Sequence, residues 1–405
     1  MRKVGIESLG FATAKNHITI EDLAIARGVN PEKYVIGLGQ KEMAIATPCE
    51  DTVTMAAQAG LCALQNADID PTSIDLLIVG TETGIDHSKP VASYVHELLG
   101  LSTNCRAIET KHACYGATGG LQFAIDRALS GRSRGKKSLI IASDIARYGI
   151  GTAGEPTQGA GAIAIIVSDE PRLVIIETGA EGIYSNQVMD FWRPLYRKEA
   201  VVDGHFSIQC YLDAIEGSYK NWQQSLVKSE NKQLALTDIA ACLYHIPFGK
   251  MANKAHMKHL DLIGINDKNV ANEDYTLRVA PYLEFCSRVG NVYTGSLFLS
   301  LYNLMVDASK SFEGKSISMF SYGSGCMAEY FLATIPQNAL KLPDFRPILD
   351  SRTQVDINEY ERLLIANTNA DQNDRVFKPE DWGVAENPFI FLGVNDHKRQ
   401  YIKLP

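Results

Sequence analysis

Three side chains of the kinds that support covalent acyl chemistry stand at comparable turns of the chain, Glu82 and His245 after apolar runs and Cys114 between a polar segment and a run of small residues. Cys114 lies in "ETKHACYGATGG" (109–120), ahead of a crowd of small residues and a helical pattern. A cysteine at a helix N-terminus faces the positive end of the helix dipole, which favours thiolate. Small neighbours let a substrate or another backbone come close. The same features also describe a structural cysteine under tight helix packing. Glu82 ends the buried run "IDLLIVGTE" (74–82). That is the carboxyl end of a strand, where open α/β sheets place their sites. Burial there raises a carboxyl pKa and suits it to proton transfer, whereas a solvated strand-end acid has no such role. His245 follows "IAACLY" and precedes "IPFG", and by itself reads more readily as a satisfied core histidine than as a functional group. Together the three are the ingredients of nucleophilic catalysis: a nucleophile, a base and an orienting imidazole.

The elements that must hold them are short runs rich in β-branched residues. "GIESLGFATA" near the N-terminus, 74–82, "KSLIIASD" (137–144) and "GAIAIIVS" (161–168) predict strands, the last three buried on both faces. Helical patterns separate them at 51–67 and 119–131, where Leu121, Ile125 and Ala128 recur at helical spacing. This alternation predicts an α/β fold with a largely parallel sheet. The second half repeats the style. A strand over 239–249 ends in a loop, a loop at 289–305 feeds an apolar helix, and 315–335 reads as strand, glycine turn, then strand or helix. We therefore expect two similar α/β halves, 1–170 with the nucleophile and 171–405 with additional surface helices and loops, although no residue-level repeat joins them. The charged stretch 340–384 reads as surface rather than core.

The 405 residues are 45% apolar and 21% charged, with a formal net charge of -8, which argues against a nucleic-acid footprint. No run of 18 apolar residues appears, so no membrane span is expected. The eight cysteines form no CxxC pair, which suggests neither a zinc site nor a redox motif, and a reduced cytoplasmic compartment fits best. "GLGQKE" (37–42) is not a dinucleotide fingerprint. His256 and His259 share a helix face without a third ligand and read as a surface pair. We expect no metal.

With these residues in place, the chain resembles the 3-hydroxy-3-methylglutaryl (HMG) synthases, a branch of the thiolase-fold condensing enzymes. "ACYGATGGLQ", "GEPTQGAGAIAIIV", "DFWRP", "VDGHFSIQCYL", "YHIPFGKM", "VGNVYTGSL" and "FSYGSG" follow in the family's order and spacing. The resemblance implies a thiolase-like fold with two similar halves layered αβαβα, and a homodimer with the sheet edge near 105–115 at its interface. It implies that Cys114 takes an acetyl group from a carrier thioester and that Glu82 removes a methyl proton from acetyl-cysteine. The carbon so formed attacks the β-ketone of a second thioester, whose oxygen His245 polarises, and water releases the product. Asn291 and Ser324 match acceptor-pocket positions. Gly323 shares the "YGSG" turn with Ser324, and the backbone near Cys114 and Ser324 is where an oxyanion would be held. Tyr148, Asp144 and Asp190 match further active-site positions.

The family works in two settings, and no permanently bound cofactor is implied in either. Acyl groups arrive on phosphopantetheine, carried by coenzyme A in one setting and by acyl carrier protein in polyketide β-branching in the other. "PFGKMANKAH", "RVAPYLEFCSRVGN" and "YGSGCMAE" resemble the polyketide branch, in which Cys286, His256 and Cys326 have counterparts. "GLGQKEMAI", "GEPTQGAGA", "DFWRP", "SIQCYL" and Lys250 resemble the coenzyme A branch. On these motifs the carrier-protein setting is marginally favoured. Lys250, Lys254 and Arg132 are the expected charges at the tunnel rim, where the two carriers would differ.

Overall fold

The apolar runs become the strands of one mixed sheet. The computed structural model describes residues 3–228 and 238–404. Ten strands join: β1 (Gly5–Thr13), β2 (Ile74–Gly80), β3 (Arg106–Thr110), β4 (Lys137–Ala146), β5 (Gly159–Ser168), β6 (Val174–Ile176), β7 (Gly182–Ser185), β8 (Ala241–Tyr244), β9 (Ser316–Gly323) and β10 (Met327–Thr334). Their order is β8-β9-β10-β6-β1-β5-β4-β2-β3, with β7 also paired to β10. In the first half β3, β2 and β4 run parallel, then β5 and β1 follow antiparallel. In the second half β8 and β9 run parallel, then β10 and β7 follow antiparallel. The short β6 pairs antiparallel with both β1 and β10 and joins the two runs.

The expectation of a largely parallel sheet is therefore corrected to a mixed one. Parallel pairing needs a long crossover, and the chain supplies one between β3 and β4. By contrast β9 returns directly into β10 through residues 324–326. β4 reaches β5 through 147–158 with only a short helical turn. Both connections produce antiparallel neighbours.

Five helices matter for the site: α1 (Thr52–Asn66), α2 (Gly116–Leu129), α3 (Gly204–Lys228), α4 (Gly249–Leu262) and α5 (Gly295–Asp307). α1 begins at a capping box in which the Asp51 side chain accepts from Thr54 N and Thr54 Oγ1 accepts from Asp51 N. α1 and α2 cover opposite faces of the sheet. Gly60 of α1 approaches Ile141 and Leu139, whereas Gly120 of α2 approaches Ile78 and Ile140, and alternate strand residues point to opposite faces. Every residue of α5 from Gly295 to Met305 is buried, as befits a helix apolar on all sides within a layered core.

The stretch 340–384 departs from the surface reading. Its helix Ile357–Thr368 buries Tyr360 and Leu363 in a satellite core with Ile18, Ile20, Leu23 and Met43. Among the described residues no helix is long and apolar enough to cross a membrane, and no cluster of side chains suited to a metal ion is found.

The backbones of β1 and α1 approach closely at Gly10. A Cβ at Gly10 would stand 2.2 Å from both the Ala59 carbonyl oxygen and the Ala63 nitrogen. Gly10→Ala is expected to force the two elements apart and cost at least about 2 kcal/mol of stability. The expected observation is a lowered urea midpoint with an unchanged slope.

Candidate active site

Parallel pairing of β2 with β3 and β4 brings three strand ends to one edge of the sheet. Glu82 stands two residues beyond β2, Cys114 just beyond β3, and Asp144 near the end of β4. One oxygen of Asp144, Oδ1, gathers the turn that carries Glu82. It accepts from the Thr81 hydroxyl at 2.9 Å, the Glu82 amide at 3.0 Å, the Thr83 amide at 3.1 Å and the Thr83 hydroxyl at 2.6 Å.

Cys114 enters through a strained step. Ala113 has φ +33°, a left-handed conformation uncommon outside glycine. The Tyr115 amide closes the turn on the His112 carbonyl at 2.8 Å, and α2 begins at Gly116. The result is contact between the two side chains: Cys114 Sγ donates to Glu82 Oε1 at 3.6 Å.

The electrostatics correct one expectation. Helix position alone favoured a thiolate, yet burial, reinforced by the Glu82 and Asp144 carboxylates, pushes the Cys114 thiol well above its ordinary value. Cys114 therefore rests as a thiol. Burial, and then the negative charge of Asp144, push the Glu82 carboxyl up in turn. Arg193 opposes this shift: its guanidinium donates to the Glu82 backbone carbonyl and lies 3.8 Å from Oε2. Sequence reasoning quoted "DFWRP" without assigning Arg193; a cation in that motif was the available signal.

His245 is 2% exposed, and burial alone pushes its imidazole down to about 3, so the ring is neutral at pH 7. Its backbone is fixed on both sides. The amide donates to the Phe320 carbonyl at 2.8 Å, and its carbonyl accepts from the Tyr211 hydroxyl at 2.7 Å. A cavity of about 250 Å³ is lined by Cys114, His245, Asn291, Ser324, Tyr148 and Tyr211. Leu38, Pro247, Phe248 and Met251 give much of the remaining wall its apolar character.

Other predicted residues shape this cavity without lining it. Asp190 holds the turn that presents Ser324, accepting from the Tyr322 hydroxyl at 2.7 Å and the Gly325 amide at 3.0 Å. Gly323 permits close approach: a Cβ there would stand 2.7 Å from the Tyr115 nitrogen and 2.9 Å from the His112 carbonyl oxygen. Lys250 is exposed at the start of α4, and its amide donates to the carbonyl of the cavity residue Leu38 at 2.8 Å. Lys254 is exposed on the same helix. Arg132 does not join them. It lies beyond the C-terminal end of α2, whose opposite end carries Cys114, about 20 Å away for a 14-residue helix.

His256 and His259 are not a surface pair. Both are fully buried, each with Nδ1 against the Tyr244 hydroxyl, and His256 Nε2 meets Asp274 Oδ1 at 2.7 Å. Their polarity is spent on an internal network beside β8.

Against this geometry the comparisons are informative. The N-terminal model of hydroxymethylglutaryl-coenzyme A synthase matches residues 1–171, and the C-terminal model matches 174–264 and 264–402. The chain belongs to the hydroxymethylglutaryl-CoA synthase family. It is 37% identical to a hydroxymethylglutaryl-CoA synthase of Enterococcus faecalis over 372 residues, 91% of this chain and 93% of that one. It is also 37% identical to the polyketide biosynthesis 3-hydroxy-3-methylglutaryl-ACP synthase PksG of Bacillus subtilis (strain 168), over 90% of this chain and 88% of that one. Among solved structures, MvaS in complex with 3-hydroxy-3-methylglutaryl coenzyme A matches with TM-score 0.90 and 42% identity, covering 100% of both chains. The curacin pathway HMG synthase in complex with apo donor-ACP matches with TM-score 0.92 and 32% identity, over 99% of this chain and 100% of that one. The fold is thus the thiolase-like fold of HMG synthases, and the protein is a carbon–carbon condensing, acyl-transferring enzyme.

The thiol state can be checked directly. Glu82→Gln removes a negative charge that raises the Cys114 pKa, so alkylation of Cys114 by iodoacetamide should accelerate at a given pH. The midpoint of rate against pH should move down relative to wild type.

Proposed function

We propose that this HMG synthase runs its reaction through Cys114, Glu82 and His245. The observation that carries this reading is the 3.6 Å contact of Cys114 Sγ with Glu82 Oε1, at the wall of a cavity that Cys114 shares with His245. The Cys114 thiol loses its proton as sulfur attacks an acetyl thioester, and the carrier thiol departs with a proton. Acetyl is then held as a thioester whose methyl protons lie within reach of the Glu82 carboxylate. Glu82 takes one of them, and the resulting carbon attacks the β-ketone of the acceptor. The neutral His245 ring polarises that ketone by hydrogen bonding, and the new alkoxide takes up one proton, which balances the one that Glu82 removed and later gives up. Hydrolysis returns Cys114 and leaves a free carboxylate on the β-branched product. Asn291, Ser324 and Tyr148 shape the acceptor end of the cavity, while Asp144 and Asp190 act by holding the two turns. Backbone N–H groups near Cys114 and Ser324 are the inferred oxyanion donors, each typically worth about 3–4 kcal/mol.

Coenzyme A is the carrier we infer. The 42% identity over the whole chain to a structure holding an HMG-coenzyme A thioester, against 32% for the carrier-protein complex, outweighs the motifs that favoured the carrier protein. The exposed Lys250 beside Leu38 gives the cavity mouth a cation suited to a phosphate. The second reading, acyl carrier protein in β-branching, is supported by the equal identity to PksG. The family models meet at 171–174, which supports a division into a half with Cys114 and a half with His245. The edge position of β3, with Ile108 44% exposed, supports a homodimer through that edge.

Incubation with acetyl-coenzyme A or acetyl-carrier protein, followed by intact mass measurement, tests both role and carrier. Wild type should gain one acetyl group from coenzyme A faster than from carrier protein, and Cys114→Ser should gain no thioester. Glu82→Ala should still acetylate but condense at least about 100-fold more slowly. A Glu82→Ala protein that cannot acetylate would refute its assignment as the condensation base.

The pH profile follows from the raised Glu82 pKa. The base is the ionised form, so activity is lost as pH falls through a value above the ordinary carboxylate range. Asp144→Asn keeps an acceptor oxygen for the turn and removes the charge that raises Glu82. The acid limb of kcat against pH should therefore move to lower pH.

A further inference from the structure

The helix that follows the nucleophile belongs to the first half by sequence, yet one of its faces is tied to the second. Tyr115, Thr118 and Gln122 are spaced three and four residues apart from the start of α2, so they share that face. Each meets a polar side chain of the β9–β10 pair. The Thr118 hydroxyl stands 2.8 Å from the Ser321 hydroxyl. The Tyr115 hydroxyl donates to Glu329 Oε2 at 2.7 Å, and Gln122 Nε2 donates to Glu329 Oε1 at 2.6 Å. Ser321 and Glu329 sit directly opposite each other on the two strands, so the contacts form one polar patch between the halves.

Glu329 is a costly residue for that place. It is 2% exposed, and no cation acts on it among the described residues. Burial pushes its carboxyl up to about 7, against the opposing hydrogen bond from Tyr115. An apolar pair in place of the acid and its donor would hold the same elements together at little or no loss of stability. What the hydrogen bond adds is a fixed position for Tyr115, the residue directly after Cys114. The Tyr115 amide closes the turn on the His112 carbonyl. Its ring lies over Gly119, where a Cβ would stand 3.1 Å from Cε1, and its Cβ faces Gly323, where a Cβ would stand 2.7 Å away. The side chain is thus held at its root by packing and at its tip by Glu329. Neither Tyr115 nor Glu329 is among the residues that line the acyl cavity.

We propose that Glu329 is a positioning residue for the reaction: through the Tyr115 hydroxyl it fixes the Cys114–Tyr115 step, and with it the 3.6 Å placement of Sγ against Glu82. This rests on the reading of Cys114 as the acyl-bearing residue. From outside the acyl cavity, Glu329 sets where the sulfur stands when it attacks the acetyl thioester. It likewise sets where the acetyl methyl stands when Glu82 takes its proton. The cavity walls are left as they are, so the effect falls on rate and not on thioester binding. A displacement of about 1 Å at a reacting atom lowers a rate about 100-fold.

Position and stability are separated by removing donor and acceptor together. Tyr115→Phe combined with Glu329→Leu leaves no unpaired group in the pair, and the partly exposed Gln122 amide turns to solvent. The double variant should keep a urea midpoint close to that of wild type. Its acetylation rate at saturating acetyl-coenzyme A, followed by rapid quench and intact mass, should still fall about 100-fold, with the half-saturating concentration unchanged. Tyr115→Phe alone should lose the same factor, and adding Glu329→Leu should lower it no further. Glu329→Gln keeps an acceptor oxygen for Tyr115, with the Gln122 amide turned over to accept, and should acetylate near the wild-type rate. A double variant or a Tyr115→Phe variant that acetylates at the wild-type rate would overturn the assignment. So would a Glu329→Gln variant as slow as Tyr115→Phe, and so would single effects that multiply in the double variant. Should the double variant fail to fold, Tyr115→Phe and Glu329→Gln decide the matter between them. A wild-type protein that never acetylates would instead overturn the underlying reading of Cys114.

Discussion

The site depends on a single oxygen of Asp144. Four donors from Thr81, Glu82 and Thr83 converge on it, and hydrogen bonds to a charged group contribute about 1.5–3 kcal/mol each. They turn the chain after β2 so that the Glu82 side chain meets Cys114 instead of running on into solvent. The arrangement places two carboxyls close together in a buried region, so each disfavours ionisation of the other. Arg193 limits that cost by standing over Glu82. The geometry and the basicity of Glu82 thus have one origin, and neither can be changed without the other.

The same burial sets the states of the other two groups. A thiolate beside two carboxylates would be strongly disfavoured, so Cys114 rests as a thiol that donates to Glu82. His245, with no charged partner, rests neutral. A neutral ring can donate to a ketone and still survive burial, whereas an imidazolium there would carry an uncompensated charge.

Much of this was legible in the sequence, for physical reasons. The apolar runs at 74–82, 137–144 and 161–168 could only be buried strands, and their ends placed Glu82 and Asp144. Cys114 and His245 each read also as structural residues by themselves, and drew attention only together with Glu82. Less local features were hidden. The antiparallel returns of β4 to β5 and β9 to β10 depend on the absence of a crossover, which a short loop does not advertise. The thiol state of Cys114 depends on carboxylates 32 and 30 residues away along the chain, which no reading of the local helix dipole includes. His256 and His259 looked solvated because α4 is polar overall, yet their partners Tyr244 and Asp274 come from other elements. Tyr360 and Leu363 were masked by charged neighbours on their helix.

A condensing enzyme that also hydrolyses must keep water away from a carbanion-like carbon and then supply it to the same acyl group. An apolar wall of Leu38, Pro247, Phe248 and Met251 meets the first demand on one side of Cys114. Glu82, Lys111, His112 and Arg193 line a charged cavity on the other side. Phe191 and Ser324 are shared, so the partition is only one side chain thick. Glu82 lines the charged cavity, and its carboxylate meets the Cys114 sulfur at 3.6 Å. The close packing at Gly323 and the strained Ala113 hold this partition in place, since both fix the backbone of His112 and Cys114 relative to the Ser324 turn.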